Sequence, residues 1–258
     1  MRDDRNWYGA WSLFRREVRR FMRVFGQTVG APLVTSLLYF AVFGAALGSR
    51  IGPTEGVGYL TFLATGLAAM GVMQHAYQNA SSSLIQMRYA GMIQMDLAAL
   101  PVTPAQMVLA VMGGAMARGL LVGAAVLLAA RVFTPFGVAH PLWLLAASLA
   151  LAGLFGLIGL FSGLWAKSFD DTALVSNFVI TPLVYLGGVF FSVEMIDAAW
   201  RPLALVNPVY HLVELFRYAL LGLDEAVLWR SGPLTLLAWA GLYVVAVWRI
   251  GRGWRLKD

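Results

Sequence analysis

The chain has 258 residues, is 60% hydrophobic and 12% charged, and has a mean hydropathy of +0.72, a composition that excludes an ordinary soluble domain. It contains no cysteine, which removes disulfides, thiol nucleophiles and thiolate metal sites together. The net charge of +6 belongs to membrane orientation and to anionic lipid, not to nucleic acid.

Six stretches, 27–48, 59–84, 106–130, 141–165, 172–193 and 233–250, are apolar for long enough to span a bilayer. They leave too few residues for a soluble domain, so 1–258 reads as a single all-α integral membrane domain. Ahead of the first span, Trp7, Trp11, Phe14, Val18, Phe21, Met22 and Phe25 recur at steps of three and four, opposite Arg15, Arg16, Arg19, Arg20 and Arg23. This predicts an interfacial amphipathic helix within 1–25, lying along the inner leaflet; a plain orientation signal is the alternative. Seven arginines before the first span leave no pattern for a cleavable signal.

Pro32 is expected to kink the first span near its inner end. The second span carries Gln74, His75, Gln78 and Asn79, a polar stripe at helical spacing. Such a stripe serves either as interhelical hydrogen-bond glue or as a cavity lining. The loop 85–104 is apolar for a solvent-facing segment and holds a short helix ended by Pro101 and Pro104, a pattern that suits a docking surface. Arg118 lies inside the third span and must face the bundle interior or water with a partner, for which Glu214 is the expected choice. Gly119 with Gly123, and Gly159 with Gly163, are small-residue pairs for close helix packing. Asp170 or Asp171 is placed to cap the fifth span, along which Asn177, Thr181 and Tyr185 share a face. The segments APLV at Ala31 and TPLV at Thr181 fall in non-corresponding spans, so no inverted repeat is read from them.

After the fifth span, residues 193–222 are half apolar yet carry Glu194, Asp197, Arg201, His211, Glu214 and Arg217, too many charges for lipid. They predict a re-entrant hairpin of two short helices. One opens at Ser192, a turn follows over 201–208, and the other is capped by Asn207 with Pro208 at its first position and Gly222 as its stop. Glu214 and Arg217 at i, i+3 are expected to neutralise one another, and with Phe190 and Phe191 to form an outer gate; a purely structural hairpin is the alternative. The Lys and Arg residues crowd the alternating side that holds both termini, which puts the termini in the cytoplasm and the hairpin outside.

Only two lysines exist, Lys167 and Lys257, and neither follows a glycine-rich phosphate loop. There is no HExxH, no GxSxG and no carboxylate pair within a span. ATP hydrolysis and membrane-embedded hydrolase chemistry are therefore not expected of this chain.

The segments RRFMRVFGQTVGAPLVTSLLYF at Arg19, GSRIG at Gly48, ARGLLVG at Ala117, AKSFDD at Ala166, PLVYLGGVFFS at Pro182 and the NP, RY and LG steps from Asn207 to Gly222 occur in one order. In sequence and order they resemble the membrane subunits of ABC type-2 exporters, most of all the bacterial permeases of the nodulation-factor and multidrug exporter branch. The resemblance implies a half-transporter in the bacterial inner membrane: two copies of this chain with two copies of a separate ABC ATPase, which would carry the ATP and Mg, this chain binding no cofactor. It implies that the loop 85–104 is the coupling helix, carried here by Arg88, Tyr89, Met92, Ile93, Asp96 and Leu97, where Met95 stands in place of one of two adjacent acidic residues of relatives. It places the translocation path along spans one, two and five, with Gln74, Gln78, Asn177, Thr181 and Tyr185 on it, and makes the cargo an amphiphile such as a lipid, lipid-linked glycan or hydrophobic drug. An ATPase-independent secondary transporter or channel, using Arg118 and the stripe from Gln74 to Asn79, is the competing reading.

Overall fold

The computed structural model describes residues 7–47, 51–89, 102–223 and 225–252; Met92, Ile93, Asp96 and Leu97 of the expected coupling helix lie outside them. The described residues are helical apart from their connections and one isolated bridge between Thr54 and Val57. In chain order the helices are α1 (Trp7–Met22), α2 (Ala31–Leu47), α3 (Tyr59–Tyr89), α4 (Pro104–Ala130), α5 (Pro141–Trp165), α6 (Phe169–Val189, broken internally), α7 (Arg201–Val206), α8 (Pro208–Leu221) and α9 (Ala226–Gly251).

Five segments are long and apolar enough to cross a membrane: Gly26–Gly44, Pro104–Ala130, Pro141–Trp165, Phe169–Val189 and Ala226–Gly251. The remaining long helix, α3, has 31 residues and so runs about 46 Å at 1.5 Å per residue. It is more polar than those five, and it is the axis of the fold. It packs chiefly on α4 and α5, with further contacts to α2, α6 and α8, and most of its side chains are buried. Both small-residue pairs serve this packing: a Cβ on Gly119 would stand 2.8 Å from the Val72 carbonyl oxygen and one on Gly163 2.8 Å from that of Ser81, while Gly123 and Gly159 meet Val72 and Tyr77 more closely still. Shielded in this way, α3 can carry Gln, Asn and Ser side chains that lipid would penalise.

Helix α1 packs on α4 through a face different from the expected aromatic one. Ala10, Leu13, Glu17 and Phe21 are buried, whereas Trp7 and Trp11 are each 60% exposed. Gly113 and Gly114 of α4 set this rotation, since a Cβ on Gly114 would overlap the Glu17 side chain. The tryptophans are left on the outside, where amphipathic rings suit a membrane interface.

A capping box opens α6: the Ser168 hydroxyl accepts from Asp171 N at 3.2 Å and the Asp171 carboxylate accepts from Ser168 N at 3.1 Å. The helix then widens into π-type turns at Ser176–Ile180, immediately before Thr181 and Pro182, and again at Tyr185–Val189, where Gly188 takes φ +78°. Proline lacks an N–H and crowds the carbonyl four residues back, and a wider turn accommodates both. The same device precedes Pro32, where Gly26–Gly30 is a π-type turn leading into Ala31. The APLV and TPLV segments thus share a local architecture without being a topological repeat.

The hairpin differs from expectation in its first arm. Ser192 opens only a 3-10 turn, Val193–Met195, and the segment expected as a turn contains α7. Asp197 Oδ1 accepts from Ala199 N at 3.1 Å, forming a turn that stops the chain early, and Pro202 in the first turn of α7 favours a fresh start. The second arm is as the sequence predicts: the Asn207 side chain accepts from Val209 N at 2.9 Å, Pro208 begins the helix and Gly222 ends it at φ +73°.

Candidate functional site

Polar side chains of α3, α4 and α6 converge on the half of the bundle nearest α1. Gln78 of α3, Arg118 of α4 and Asn177 of α6 line one cavity of ≈ 380 Å³ together with Ser81, Ser82 and Thr172. A second cavity of ≈ 670 Å³ lies between α1, α3 and α4, and shares Ser82 and Arg118 with the first. Its lining includes Arg15, Arg16, Arg19, Arg20 and Arg23, with Ser83, Gln86 and a single carboxylate, Glu17. Gln74 and His75 are half-buried on α3. Arg118 lies within electrostatic reach of His75 and Arg20, and its Nε is buried without a hydrogen-bond partner among the described residues. The expected pairing with Glu214 is not formed; that carboxylate belongs to α8 and is bound by Tyr210.

Glu17, which sequence reasoning passed over, ties α1 to α3. It is 1% exposed, accepts from Ser83 Oγ at 2.7 Å, and pairs with Arg16 at 3.1 Å and Arg20 at 2.9 Å. Arg20 extends the node by donating to Ser82 Oγ at 2.9 Å and to the Asn79 carbonyl at 2.7 Å. The available signal was the lone carboxylate in RREVRRF, a residue with no place on a purely basic face.

At the other end of α6 one of the expected path residues, Tyr185, enters an aromatic cluster. Tyr185 and Tyr39 of α2 share a hydroxyl hydrogen bond of 2.9 Å, and the Phe190 ring lies 5.3–5.4 Å from Tyr185, Tyr39 and Phe43. Tyr59 donates to the Phe190 carbonyl at 3.3 Å. Thr181 and Phe191 are half-buried. Thus Asn177 sits on the smaller of the two cavities and Tyr185 on the aromatic cluster, with Thr181 between them in sequence.

Arg217 does not pair with Glu214 across one helical turn as expected. It is 2% exposed and reaches into the bundle. Its Nε donates to Thr65 Oγ1 at 3.2 Å and its Nη2 to the Gly188 carbonyl at 3.0 Å. Its guanidinium lies 3.8 Å from the Phe62 ring centroid, and its ion-pair partner is Glu55 at 3.7 Å. Glu55 is held there by a tight turn with φ +51°, followed by Gly56 at φ +80° and closed by the Thr54 and Val57 bridge. A non-glycine residue in this region is uncommon and strained. Glu214 instead accepts from the Tyr210 hydroxyl and lies 3.9 Å from His211. Burial pushes its carboxyl above the ordinary carboxylate range, against the hydrogen bond from Tyr210. Arg217 therefore fastens the kink of α6 at Gly188 to α3, while the contacts of Glu214 with Tyr210 and His211 stay within α8.

Of the expected ATPase-coupling residues, Arg88 and Tyr89 are described. Arg88 donates to the carbonyls of Ala166 and, at 3.2 Å, Leu164, covering the C-terminal end of α5. Tyr89 is 64% exposed, with its ring 5.8 Å from that of Phe169. No group of three or more His, Cys, Asp or Glu fit to hold a metal occurs among the described residues.

Comparison with known proteins places this arrangement in context. The family described as ABC-2 type transporter is matched over residues 8–221. The inner membrane transport permease YadH of Escherichia coli (strain K12) is 38% identical over 253 residues, covering 98% of both chains. Nodulation protein J of Rhizobium leguminosarum bv. viciae is 28% identical over 225 residues, 84% of this chain and 83% of that one. The protein of the same name from Rhizobium meliloti (strain 1021) is 26% identical over 221 residues, 84% of this chain and 82% of that one.

Proposed function

This chain belongs to the ABC-2 type transporter family as a membrane permease, and we propose that it is the homodimeric permease half of an ATP-driven exporter that moves an amphiphile outward across the inner membrane. In this reading α3 is a sixth span, hidden among the other five, and both termini are cytoplasmic. Two copies of a separate ABC ATPase bind ATP and Mg and dock on the loop 85–104 of each permease.

The observation that carries the proposal is the meeting of Gln78, Arg118 and Asn177, from three different helices, around one cavity. Gln78 and Asn177 are exposed and Arg118 is half-buried, so these polar groups open onto the surface of an otherwise apolar bundle, where a second copy would enclose them as a route for a headgroup. The apolar part of the cargo has a matching surface: α2 exposes Val34, Leu38 and Val42, and α6 exposes Phe178, Val179 and Leu186. A second copy placed against these faces would double the path by two-fold symmetry. The aromatic cluster of Tyr39, Phe43, Tyr185 and Phe190, with α7 and α8 beyond it, then acts as the outer gate.

The test is a double substitution in the coupling loop, Met92→Ala with Asp96→Ala, in the purified permease and ATPase complex. Export is expected to be lost while ATP hydrolysis continues. Normal export by the double variant would remove the docking assignment.

A further inference from the structure

We propose that the basic cavity between α1, α3 and α4 is a binding site for the phosphate group of a membrane amphiphile, captured at the inner leaflet before it enters the path. The inference rests on the permease reading above and adds to it the chemical class of the headgroup.

Charge is the first argument. Five arginines from α1 and the residue following it, together with Arg118 of α4, surround a space of ≈ 670 Å³ against one carboxylate. Glu17 offsets one of these charges, through its ion pairs with Arg16 and Arg20, and its remaining contact is with the neutral Ser83. The cavity lining therefore keeps a large positive excess, an arrangement that an anion relieves. Guanidinium groups are the side chains best fitted to phosphate, through paired N–H donors in a rigid fork.

Unused donors are the second argument. The Arg118 Nε is buried without a partner among the described residues, although buried polar groups are nearly always satisfied. It lies on the boundary shared by both cavities. Close by, Ser82 also faces both. An anion held by the arginines of α1 would meet Arg118 and Ser82 next, and beyond them Gln78 and Asn177.

Position is the third argument, and it selects an amphiphile as carrier. Helix α1 has Trp7, Tyr8 and Trp11 exposed, the belt expected of a helix lying in a membrane interface. The arginines of the same helix open the cavity at headgroup level. A phosphate there comes from a lipid headgroup or from soluble phosphate, and the shared chemistry is the phosphate group.

The experiment uses the permease and ATPase complex in phosphatidylcholine nanodiscs and measures binding of a fluorescent phosphatidic acid, with the matching diacylglycerol as the phosphate-free control and inorganic phosphate as competitor. Saturable binding is expected for phosphatidic acid and none for diacylglycerol. Arg118→Gln should weaken it about tenfold, the loss expected of a charge-assisted contact. The pair Arg19→Gln and Arg23→Gln, at exposed positions that the fold does not depend on, should weaken it as well. Displacement by inorganic phosphate would support a site for phosphate whatever its carrier; resistance to displacement would support a site for headgroup and chains together. Equal binding of diacylglycerol, or phosphatidic acid binding indifferent to both sets of substitutions, would overturn the proposal. ATP-driven export by a complex with such indifferent binding would sink this inference alone and leave the permease reading standing.

Discussion

Replacing Arg217 separates the contacts seen around α8 from those that sequence spacing suggests. Arg217→Gln removes a charged hydrogen bond to the Gly188 carbonyl at 3.0 Å, a second to Thr65 at 3.2 Å and the stacking over Phe62 at 3.8 Å. A charged hydrogen bond contributes about 1.5–3 kcal/mol, and a desolvated cation–π contact about 2 kcal/mol. The ion pair with Glu55 is long, at 3.7 Å, and Glu55 is part-exposed at 25%, so it adds less than about 1 kcal/mol. Removing the guanidinium also removes its own cost of burial, which cuts the sum to a net loss of about 3 kcal/mol. For a chain of this size that corresponds to a fall in Tm of about 6–12 °C, measurable by thermal unfolding of the purified protein in detergent. Arg217→Lys should fall between, keeping the charge but losing the fork that serves two acceptors at once. The charge swap Glu214→Arg with Arg217→Glu should be no better than either single change, since the two residues have different partners. A Tm unchanged in Arg217→Gln, or recovery in the swap, would refute this reasoning.

Glu17→Gln should loosen α1 by about 2–3 kcal/mol, because Arg20 and Ser83 lose a buried charged acceptor; limited proteolysis near 23–26 is the readout, and unchanged protection counts against the node. Tyr39→Phe and Tyr185→Phe should each cost about 1 kcal/mol and show a coupling of similar size in a double-mutant cycle; additive effects would mean the hydroxyl bond has no weight. Cysteines placed singly along 177–191 should cross-link two copies of the chain at one or more positions, against a native background without thiols. Failure at every position would remove the face of α6 from the dimer interface.

Features encoded by local chemistry were legible in the sequence, and those decided by distant packing were not. Asn207, Pro208 and Gly222 bound a helix because a cap, a fixed φ and a left-handed stop act within a few residues. Likewise Asp171 at the start of α6, and the glycines that let α4 and α5 close on α3, follow from short spacings. Arg217 was given its helical neighbour Glu214, yet its contacts lie 152 residues away at Thr65 and at Glu55, in a turn whose EG step gave little warning. Glu17 was hidden by the five arginines around it, and only the approach of α1 to Gly114 buries it. Pro32 was readable as a kink and Pro182 was not read as one, and the π-type widening before both depends on how each helix relieves a missing N–H, which composition does not record.

The central claim, a permease driven by a separate ATPase, is tested most directly by native mass spectrometry of the affinity-tagged chain released from its own membranes into detergent. The account predicts a complex of two permeases and two ABC ATPase subunits, with ATP hydrolysis that follows the complex through purification. Recovery of the chain without an ATPase, together with transport that persists without ATP and stops when the proton gradient is collapsed, would contradict it.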